Sequence, residues 1–235
     1  MKFKIFFIHG WGFGSNFWLP IINILKKNNK IKKICCLDLG FFSQKNTNID
    51  LDKNLRNIFV VHSYGLNWFL KRKIECYGLI NFFAAPSFVN YQRNSKKRIM
   101  LLRKMLYRMD IEPDEVLKDF YINSGLKRSY FSDDSKTDFR NLKNSLENLL
   151  KDNLTIDFKK RKFMIFSFFS LFDRIFVPSP KKIAFLEQPN HCVKYLKNFD
   201  HSSPFTKPDE ISNLINRTME RLTMERLTME RLIDF

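Results

Sequence analysis

The sequence contains no apolar run long enough to cross a bilayer, which takes roughly 20 residues. The longest run lies between Phe163 and Phe172 and is interrupted by two serines. The apolar stretch at residues 5–8 is too short for the hydrophobic region of a signal peptide, since His9 and a glycine turn follow it. We therefore expect a cytoplasmic protein with no stable membrane insertion.

Cysteine is scarce, and its spacing is irregular. The four cysteines are Cys35, Cys36, Cys76 and Cys192, and no two of them form a C-x-x-C pair. That arrangement is not typical of a disulfide framework or a zinc site. We expect reduced side chains that pack in the interior, and no metal site.

Acidic residues are few. The chain has 24 Asp and Glu against 41 Lys and Arg, a formal net charge of +17. Such a charge favours encounter with an acidic partner, which could be nucleic acid, an anionic lipid or an acidic protein. A general compositional bias toward Lys, Asn, Ile and Phe explains the excess equally well.

Hydrophobic and aromatic residues, by contrast, are plentiful. They make up 44% and 15% of the chain, and 26 residues are phenylalanine. This composition excludes wholesale disorder, which requires low hydrophobicity. At 235 residues the chain predicts a single domain, or one core with an inserted lobe.

Short apolar segments alternate with helical patterns over most of the chain, and we read these segments as strands. The predicted strands are Phe3–Ile8, Ile34–Leu39, Ile58–Val61, Leu79–Ala84, Phe163–Phe169 and Val193–Phe199. Helices are expected over 18–27, over 66–73 and after Pro208. Alternating strands and helices predict an α/β fold, with a mainly parallel sheet covered by helices on both faces.

The alternation stops in the middle of the chain. Between residues 87 and 157 the pattern is helical, with an apolar stripe formed by Ile99, Leu102, Met105, Leu106 and Met109. We therefore expect a core made of residues 1–88 and 158–217, with an inserted helical lid at 89–157.

The chain ends in a tandem repeat of Thr-Met-Glu-Arg-Leu at 218–222, 223–227 and 228–232. Successive leucines of a five-residue period fall about 140° apart around a helix, so no apolar seam forms. We expect residues 218–235 to be an exposed, frayed helical tail with no role in chemistry.

Ser63 lies between a predicted strand and a predicted helix, in Val61-His62-Ser63-Tyr64-Gly65. This is a G-x-S-x-G pattern in which Val61 takes the first glycine position. A serine on such a turn projects its hydroxyl from the sheet edge, as the nucleophile of a hydrolase does. A structural serine at a helix start is the alternative.

A glycine-rich loop, His9-Gly10-Trp11-Gly12, follows the first strand. Glycines let backbone N–H groups approach a ligand closely. In an acyl-transfer site, one oxyanion donor comes from such a loop and the other from the residue after the nucleophile. We therefore predict an oxyanion hole made by the N–H groups of Trp11 and Tyr64, although an ordinary strand-to-helix turn also needs glycine.

Two further residues complete a catalytic set with Ser63. Asp173 follows one predicted strand, and His201 follows the next. The chain order Ser, Asp, His is that of α/β hydrolases, and each residue follows a strand at the sheet edge where open α/β sheets bind ligands. We predict a triad of Ser63, Asp173 and His201.

The other candidates fit this chemistry less well. His9 precedes the oxyanion loop, His191 precedes the last strand, and His62 is expected to point away from the serine. Asp200 neighbours His201, but adjacent residues seldom aim at each other.

These motifs resemble the α/β-hydrolase superfamily, and in detail the pimeloyl-[acyl-carrier protein] methyl ester esterases of biotin synthesis. The resemblance runs from about residue 5 to residue 211. The segments that carry it are HGWG at 9–12, LDLGFF at 37–42, HSYG at 62–65, AAPSF at 84–88, DRIFVP at 173–178 and HSSPF at 201–205. Ser170 stands where that family has a glycine.

The resemblance implies hydrolysis of the methyl ester of a pimeloyl chain carried on acyl carrier protein, with no metal or organic cofactor. It implies a monomer whose substrate contacts are Trp11, Phe120, Tyr121, Asn123 and His201.

The predicted lid is strongly basic. It carries Arg93, Lys96, Lys97, Arg98, Arg103, Lys104 and Arg108, with no acidic residue between 91 and 109. Because acyl carrier proteins are acidic, we predict that these seven side chains, the basic lid set, dock the carrier. A solvated helix face and a helix that touches anionic lipid are the alternatives.

Two other functions remain open at this point. One is a general short-chain carboxylesterase that uses the same triad. The other is a catalytically silent hydrolase-fold protein whose basic face binds an acidic partner. Nucleic acid is not expected as the partner, since no zinc, RNP or helix-turn-helix signature accompanies the charge.

Overall fold

The computed structural model describes the backbone of residues 1–127 and 136–233, and the side chains of these residues up to 224. Its centre is a six-stranded, entirely parallel sheet with the strand order β2-β1-β3-β4-β5-β6. The strands are β1 Phe3–Ile8, β2 Ile31–Leu37, β3 Arg56–His62, β4 Gly78–Phe82, β5 Met164–Ser170 and β6 His191–Leu196. The predicted fold class is confirmed, with strand ends shifted by a few residues.

The α-helices pack around this sheet, and a 3₁₀ turn at Ser15–Trp18 precedes the first of them. They are α1 Leu19–Leu25, α2 Tyr64–Lys71, α3 Ser95–Arg108, α4 Pro113–Ser124, α5 Phe139–Lys151, α6 Thr155–Lys159, α7 Pro180–Ala184, α8 Ser203–Thr206 and α9 Pro208–Ile233. Every residue of β1, β4 and β5 is buried, so both faces of the sheet are covered.

Phenylalanine fills much of the interior between neighbouring strands. Phe6 of β1 and Phe59 of β3 are register partners whose rings stack at 4.7 Å, and Phe82 of β4 and Phe168 of β5 stack at 5.1 Å. Aromatic pairs of this kind add to the area that each ring buries. Many of the phenylalanines are therefore core residues.

The chain order places a ligand-binding crevice between β1 and β3. From β1 the chain moves outward to β2 and then returns to β3 on the other side of β1. Open α/β sheets bind ligands at such a reversal, beyond the carboxyl ends of the strands. Helices α3–α6 lie between β4 and β5 in the sequence, the region of the predicted lid, and α3, α4 and α5 contribute side chains to the wall of the cavity that contains Ser63.

The prediction of an exposed tail is wrong for the first repeat. In α9 the side chains of Thr218, Met219 and Leu222 are buried, and Leu222 packs against Gly78 at the start of β4. Residues 218, 219 and 222 follow the i, i+1, i+4 spacing of one helix face, so a single repeat presents an apolar face although three do not form a seam. The helical backbone continues to Ile233.

None of the helices within the described ranges is both long enough and apolar enough to cross a membrane.

Candidate active site

Ser63 lies at a sharp turn between β3 and α2. Its backbone has φ 51° and ψ −122°, a conformation that L-residues rarely adopt. Strain of this kind costs about 1–3 kcal/mol and persists only where the surroundings impose it. The Ser63 N–H is anchored to the carbonyl oxygen of Phe82 at 3.1 Å, and the Ser63 carbonyl accepts from Leu66 in the first turn of α2.

Two glycines allow the turn to pack tightly. A Cβ at Gly65 would lie 2.7 Å from the carbonyl oxygen of Ile8, and a Cβ at Gly10 would lie 2.8 Å from the Cβ of Ser63. Both distances are shorter than real contacts, so neither position accepts a side chain without movement of the backbone. Val61, in the first glycine position of the motif, is fully buried within β3, and the turn after it still forms.

The structure brings Ser63, His201 and Asp173 into one line of hydrogen bonds. The Ser63 Oγ lies 2.9 Å from Nε2 of His201, and Nδ1 of His201 lies 2.7 Å from Oδ2 of Asp173. All three residues are buried. The carboxylate requires a proton on Nδ1, which leaves the Nε2 lone pair facing the serine hydroxyl, the arrangement of a general base and its nucleophile.

Asp173 is itself held by the backbone that follows it. Its Oδ1 accepts hydrogen bonds from the N–H groups of Ile175, at 2.7 Å, and Phe176, at 2.9 Å. Accepting both of these and the imidazole N–H suits an ionised carboxylate. The Asp173 side chain therefore has a fixed direction toward the imidazole.

Ser170 connects the loops that carry Asp173 and His201. Its hydroxyl donates to the carbonyl oxygen of Phe199 at 2.6 Å and accepts from the N–H of Phe172 at 3.1 Å. One side chain at the end of β5 thus ties together the segments leading to both residues. A glycine at this position could not make either contact.

His62 makes a contact with the triad that the sequence analysis did not predict. Its Nε2 donates to the carbonyl oxygen of His201 at 2.8 Å, which fixes the backbone of the residue whose imidazole faces Ser63. Phe17 stacks on its ring at 4.9 Å. Burial, and to a lesser degree the proximity of His201, keeps the pKa of His62 well below its ordinary value of 6.5.

The predicted oxyanion donors, Trp11 and Tyr64, belong to residues beside the nucleophile, since Trp11 lines the cavity that contains Ser63 and Tyr64 follows Ser63 in the chain. Tyr64 is the first residue of α2, where a helix leaves its N–H groups without intrahelical partners. Within residues 1–127 and 136–233, the N–H groups of Trp11 and Tyr64 form no hydrogen bond. Both groups are therefore able to donate to a substrate oxygen.

The glycine-rich loop is fixed by contacts from the core and the lid. Asp38 accepts from the N–H of Ser15 at 2.9 Å, the Tyr121 hydroxyl donates to the carbonyl of Gly12 at 2.6 Å, and Trp11 Nε1 donates to the carbonyl of Leu142 at 2.8 Å. The resemblance predicts Tyr121 as a substrate contact. In the structure Tyr121 instead holds the glycine-rich loop through this hydrogen bond and does not line the cavity.

The remaining histidines have structural partners. Nε2 of His9 accepts from the N–H of Leu39 at 2.9 Å, so its Nδ1 carries the proton and donates to Gly10. His191 lies in β6, where its ring contacts Ser167 at 2.9 Å. Asp200 accepts from Ser203 and lies outside the hydrogen bonds of the triad.

A cavity of about 260 Å³ opens above Ser63, between the core and the lid. Most of its wall is apolar, with contributions from Trp11, Phe88, Leu101, Leu102, Met105, Val116, Phe120, Leu146, Leu149 and Ile175. Phe120 packs edge-on against Trp11 at 4.8 Å, and the predicted contact Asn123 also lines the cavity. Such a lining suits an acyl chain.

The basic lid set divides into two groups. Arg98, Lys104 and Arg108 line the cavity, as does Arg174 from the loop after Asp173. The other four are exposed and lie outside the cavity wall: Arg93, Lys96, Lys97 and Arg103. Sequence alone could not make this distinction, because all seven residues fall within one short basic segment.

No protein-family model matches the sequence, and no curated protein sequence matches it. Solved structures do match it. Bromoperoxidase from Bacillus anthracis superposes with a TM-score of 0.74 at 14% identity, over 94% of this chain and 92% of that one. An esterase from Exiguobacterium antarcticum gives a TM-score of 0.74 at 13% identity, over 93% and 92%. MenH from S. aureus gives 0.69 at 17%, over 94% of both chains. The chain has the α/β-hydrolase fold.

Proposed function

We propose that this protein is a serine carboxylic ester hydrolase. The observation that carries the proposal is the buried line from Ser63 through His201 to Asp173, with distances of 2.9 and 2.7 Å, on a turn whose backbone conformation is imposed by its surroundings. A nucleophile, a base and a group that orients the base are the parts that ester cleavage requires. The similar structures also include esterases and an enol-lactonase.

The geometry supports a two-step mechanism. His201 takes the proton from the Ser63 hydroxyl as the oxygen attacks the ester carbonyl, and the N–H groups of Trp11 and Tyr64 stabilise the negative oxygen that forms. His201 then gives that proton to the departing alkoxide, leaving an acyl group on Ser63. A water molecule, deprotonated by His201, releases the acid and regenerates the serine.

For the substrate, we propose the methyl ester of a pimeloyl chain attached to acyl carrier protein. The apolar cavity suits the methylene chain, and the exposed cations on α3 are complementary to an acidic carrier. The motif resemblance implies the same substrate. The carrier would rest on the lid while the distal ester reaches Ser63.

A fluorophosphonate probe tests the catalytic machinery. Labelling of the native protein is expected, and Ser63→Ala should abolish it while the folded state persists. A native protein that resists the probe would instead support the catalytically silent alternative. His201→Gln is a second variant, expected to slow labelling strongly because the base is lost.

Methanol release tests the substrate. The initial rate is compared for the methyl ester of a pimeloyl chain on the carrier and for the same ester free in solution. Faster turnover of the carrier-bound ester is expected, with a rate that falls as salt screens the docking charges. Equal rates for both esters would favour a general short-chain carboxylesterase.

A further inference from the structure

Two cations of the basic lid set are partly buried in the wall of the catalytic cavity, and one of them, Arg108, has carboxylate partners in Glu112 and Asp119. The other is Arg98. Its Nη1 donates to the carbonyl oxygen of Arg174 at 3.1 Å. In the part of the chain that the structure describes, no carboxylate forms an ion pair with it. A partly desolvated guanidinium without a counter-ion is energetically unfavourable unless something else supplies the charge.

The acidic groups near Arg98 are already engaged. Asp119, the one carboxylate in the cavity wall as described, pairs with Arg108 at 2.8 Å. Asp173 lies close enough to raise the pKa of Arg98, against the larger effect of burial, which lowers it. However, the oxygens of Asp173 accept from His201 and from two backbone N–H groups.

The wall of the cavity therefore combines a group of positively charged side chains with the apolar side chains described above. It contains Arg98, Lys104, Arg108 and Arg174 against Asp119 alone. Guanidinium groups bind carboxylates and phosphates with two hydrogen bonds in a fixed geometry. The apolar side chains would hold a methylene chain, while a charged group on that chain would meet Arg98.

We propose that Arg98 binds a negatively charged group of the substrate, a carboxylate or a phosphate joined to the acyl chain whose ester lies at Ser63, and so selects anionic over neutral esters. This inference rests on the proposed esterase function and specifies the substrate class. Docking of a carrier is a separate role, which the exposed cations of α3 would serve.

Two esters of equal chain length test the inference. Monomethyl heptanedioate ends in a carboxylate, and methyl heptanoate ends in a methyl group. The native protein should have the higher kcat/KM for the anionic ester. Arg98→Gln should lower that value about 10- to 100-fold, the loss expected for a hydrogen-bonded charge, and leave methyl heptanoate within about twofold. Arg98→Lys should retain part of the preference.

The control is Arg140→Gln, which removes the same charge from an exposed position of the lid on α5. It should leave kcat/KM for both esters unchanged. Equal losses on both esters in Arg98→Gln would overturn the inference, because they would mean that Arg98 acts through Asp173 or through packing. An unchanged preference between these esters, together with no effect of Arg98→Gln on the phosphorylated thioester described below, would overturn it as well.

Binding separates this inference from the proposed activity. Calorimetry with Ser63→Ala should show tighter binding of monomethyl heptanedioate than of methyl heptanoate, and the added Arg98→Gln change should remove the difference. A protein that hydrolyses neither ester but shows this preference would lack the activity and keep the anion site. A protein that hydrolyses both esters without a preference, and also shows none between the two thioesters described below, would have the activity and lack the anion site.

The source of the anion is distinguished by a second pair of ligands. These are the thioesters of monomethyl heptanedioate with pantetheine and with 4′-phosphopantetheine. A preference for the phosphorylated thioester that Arg98→Gln abolishes would identify a phosphate. A preference confined to the free carboxylate would identify a dicarboxylic monoester.

Discussion

The ring of His62 donates a hydrogen bond of 2.8 Å to the backbone carbonyl of His201, which lies 139 residues later in the sequence. The two rings lie 4.7 Å apart between their centroids. The residue before the nucleophile thus fixes the residue that would act as its base. Because the contact is made by a neutral, fully buried imidazole, it does not depend on a charge at His62.

Loss of this contact should lower activity more than it lowers stability. His62→Leu keeps an apolar group of similar size but leaves the His201 carbonyl without its donor, a cost of about 1–3 kcal/mol in unfolding free energy. We expect kcat for a neutral ester to fall at least tenfold, since the imidazole loses its fixed position. Steady-state kinetics and urea unfolding measure the two effects. His62→Gln retains a donor and should recover part of kcat, and a Gln variant as slow as the Leu variant would contradict this positioning role.

Stability should decrease in mild acid. Burial lowers the pKa of both His62 and His191 from the ordinary 6.5. As the pH falls through about 6.5, each of these two histidines binds a proton in the unfolded chain and stays neutral in the folded protein. The unfolding free energy therefore falls by up to about 1.4 kcal/mol per pH unit for each histidine. Urea unfolding between about pH 7.5 and pH 5.5 measures the slope. His191→Gln has one such group fewer and should show a shallower slope, whereas an identical slope would count against the assignment.

A methyl group at Gly65 should damage the nucleophile turn. Gly65→Ala places a Cβ 2.7 Å from the Ile8 carbonyl and 2.9 Å from the His9 carbonyl, and neither backbone atom can rotate away. We expect a loss of about 1–3 kcal/mol in unfolding free energy, together with loss of fluorophosphonate labelling. Gly14→Ala is the matched control, since its closest contact is the mobile side chain of Asn16 at 3.1 Å. Normal labelling of Gly65→Ala would contradict this prediction, because it would mean that the backbone shifts to accommodate the methyl group.

Removal of the Ser170 hydroxyl should loosen the loops that hold Asp173 and His201. Ser170→Ala loses the bonds to Phe199 and Phe172, so we expect a lower kcat and a stability loss of about 1 kcal/mol. Ser167→Ala, on the same strand, loses contacts to His191 and Asn81 away from the triad. It should cost similar stability and leave kcat unchanged. If both variants have the same kcat, Ser170 does not position the site.

The first repeat of the C-terminal helix should be essential to the core. Leu222→Ala removes a side chain that is 1% exposed and should cost about 2–5 kcal/mol in unfolding free energy. Glu220→Ala, on the exposed side of the same repeat, should change stability by less than about 0.5 kcal/mol. Chemical denaturation of the two variants measures the difference. Equal stabilities would mean that α9 does not contribute to the core at this point.

Local patterns were enough to predict the class of fold. Runs such as Phe3–Ile8 and the glycine loop after them reveal a buried strand and a turn, because neighbouring residues decide both. The positions of Ser63, Asp173 and His201 after β3, β5 and β6 could be read for the same reason, since parallel strands end at one edge of a sheet. The ends of β2 and β6 were misplaced by several residues, because edge strands are only partly buried and their patterns are weaker.

The features that went unpredicted are contacts between distant parts of the chain. The bond from His62 to the His201 carbonyl, the bridge from Ser170 to Phe199 and the burial of Leu222 depend on how elements pack, and spacing along the sequence carries no record of that. The same holds for Arg98, which shares its charge and its helix with five other members of the basic lid set. Only the packing of the lid onto the sheet turns its side chain into the cavity and leaves most of the others in solvent.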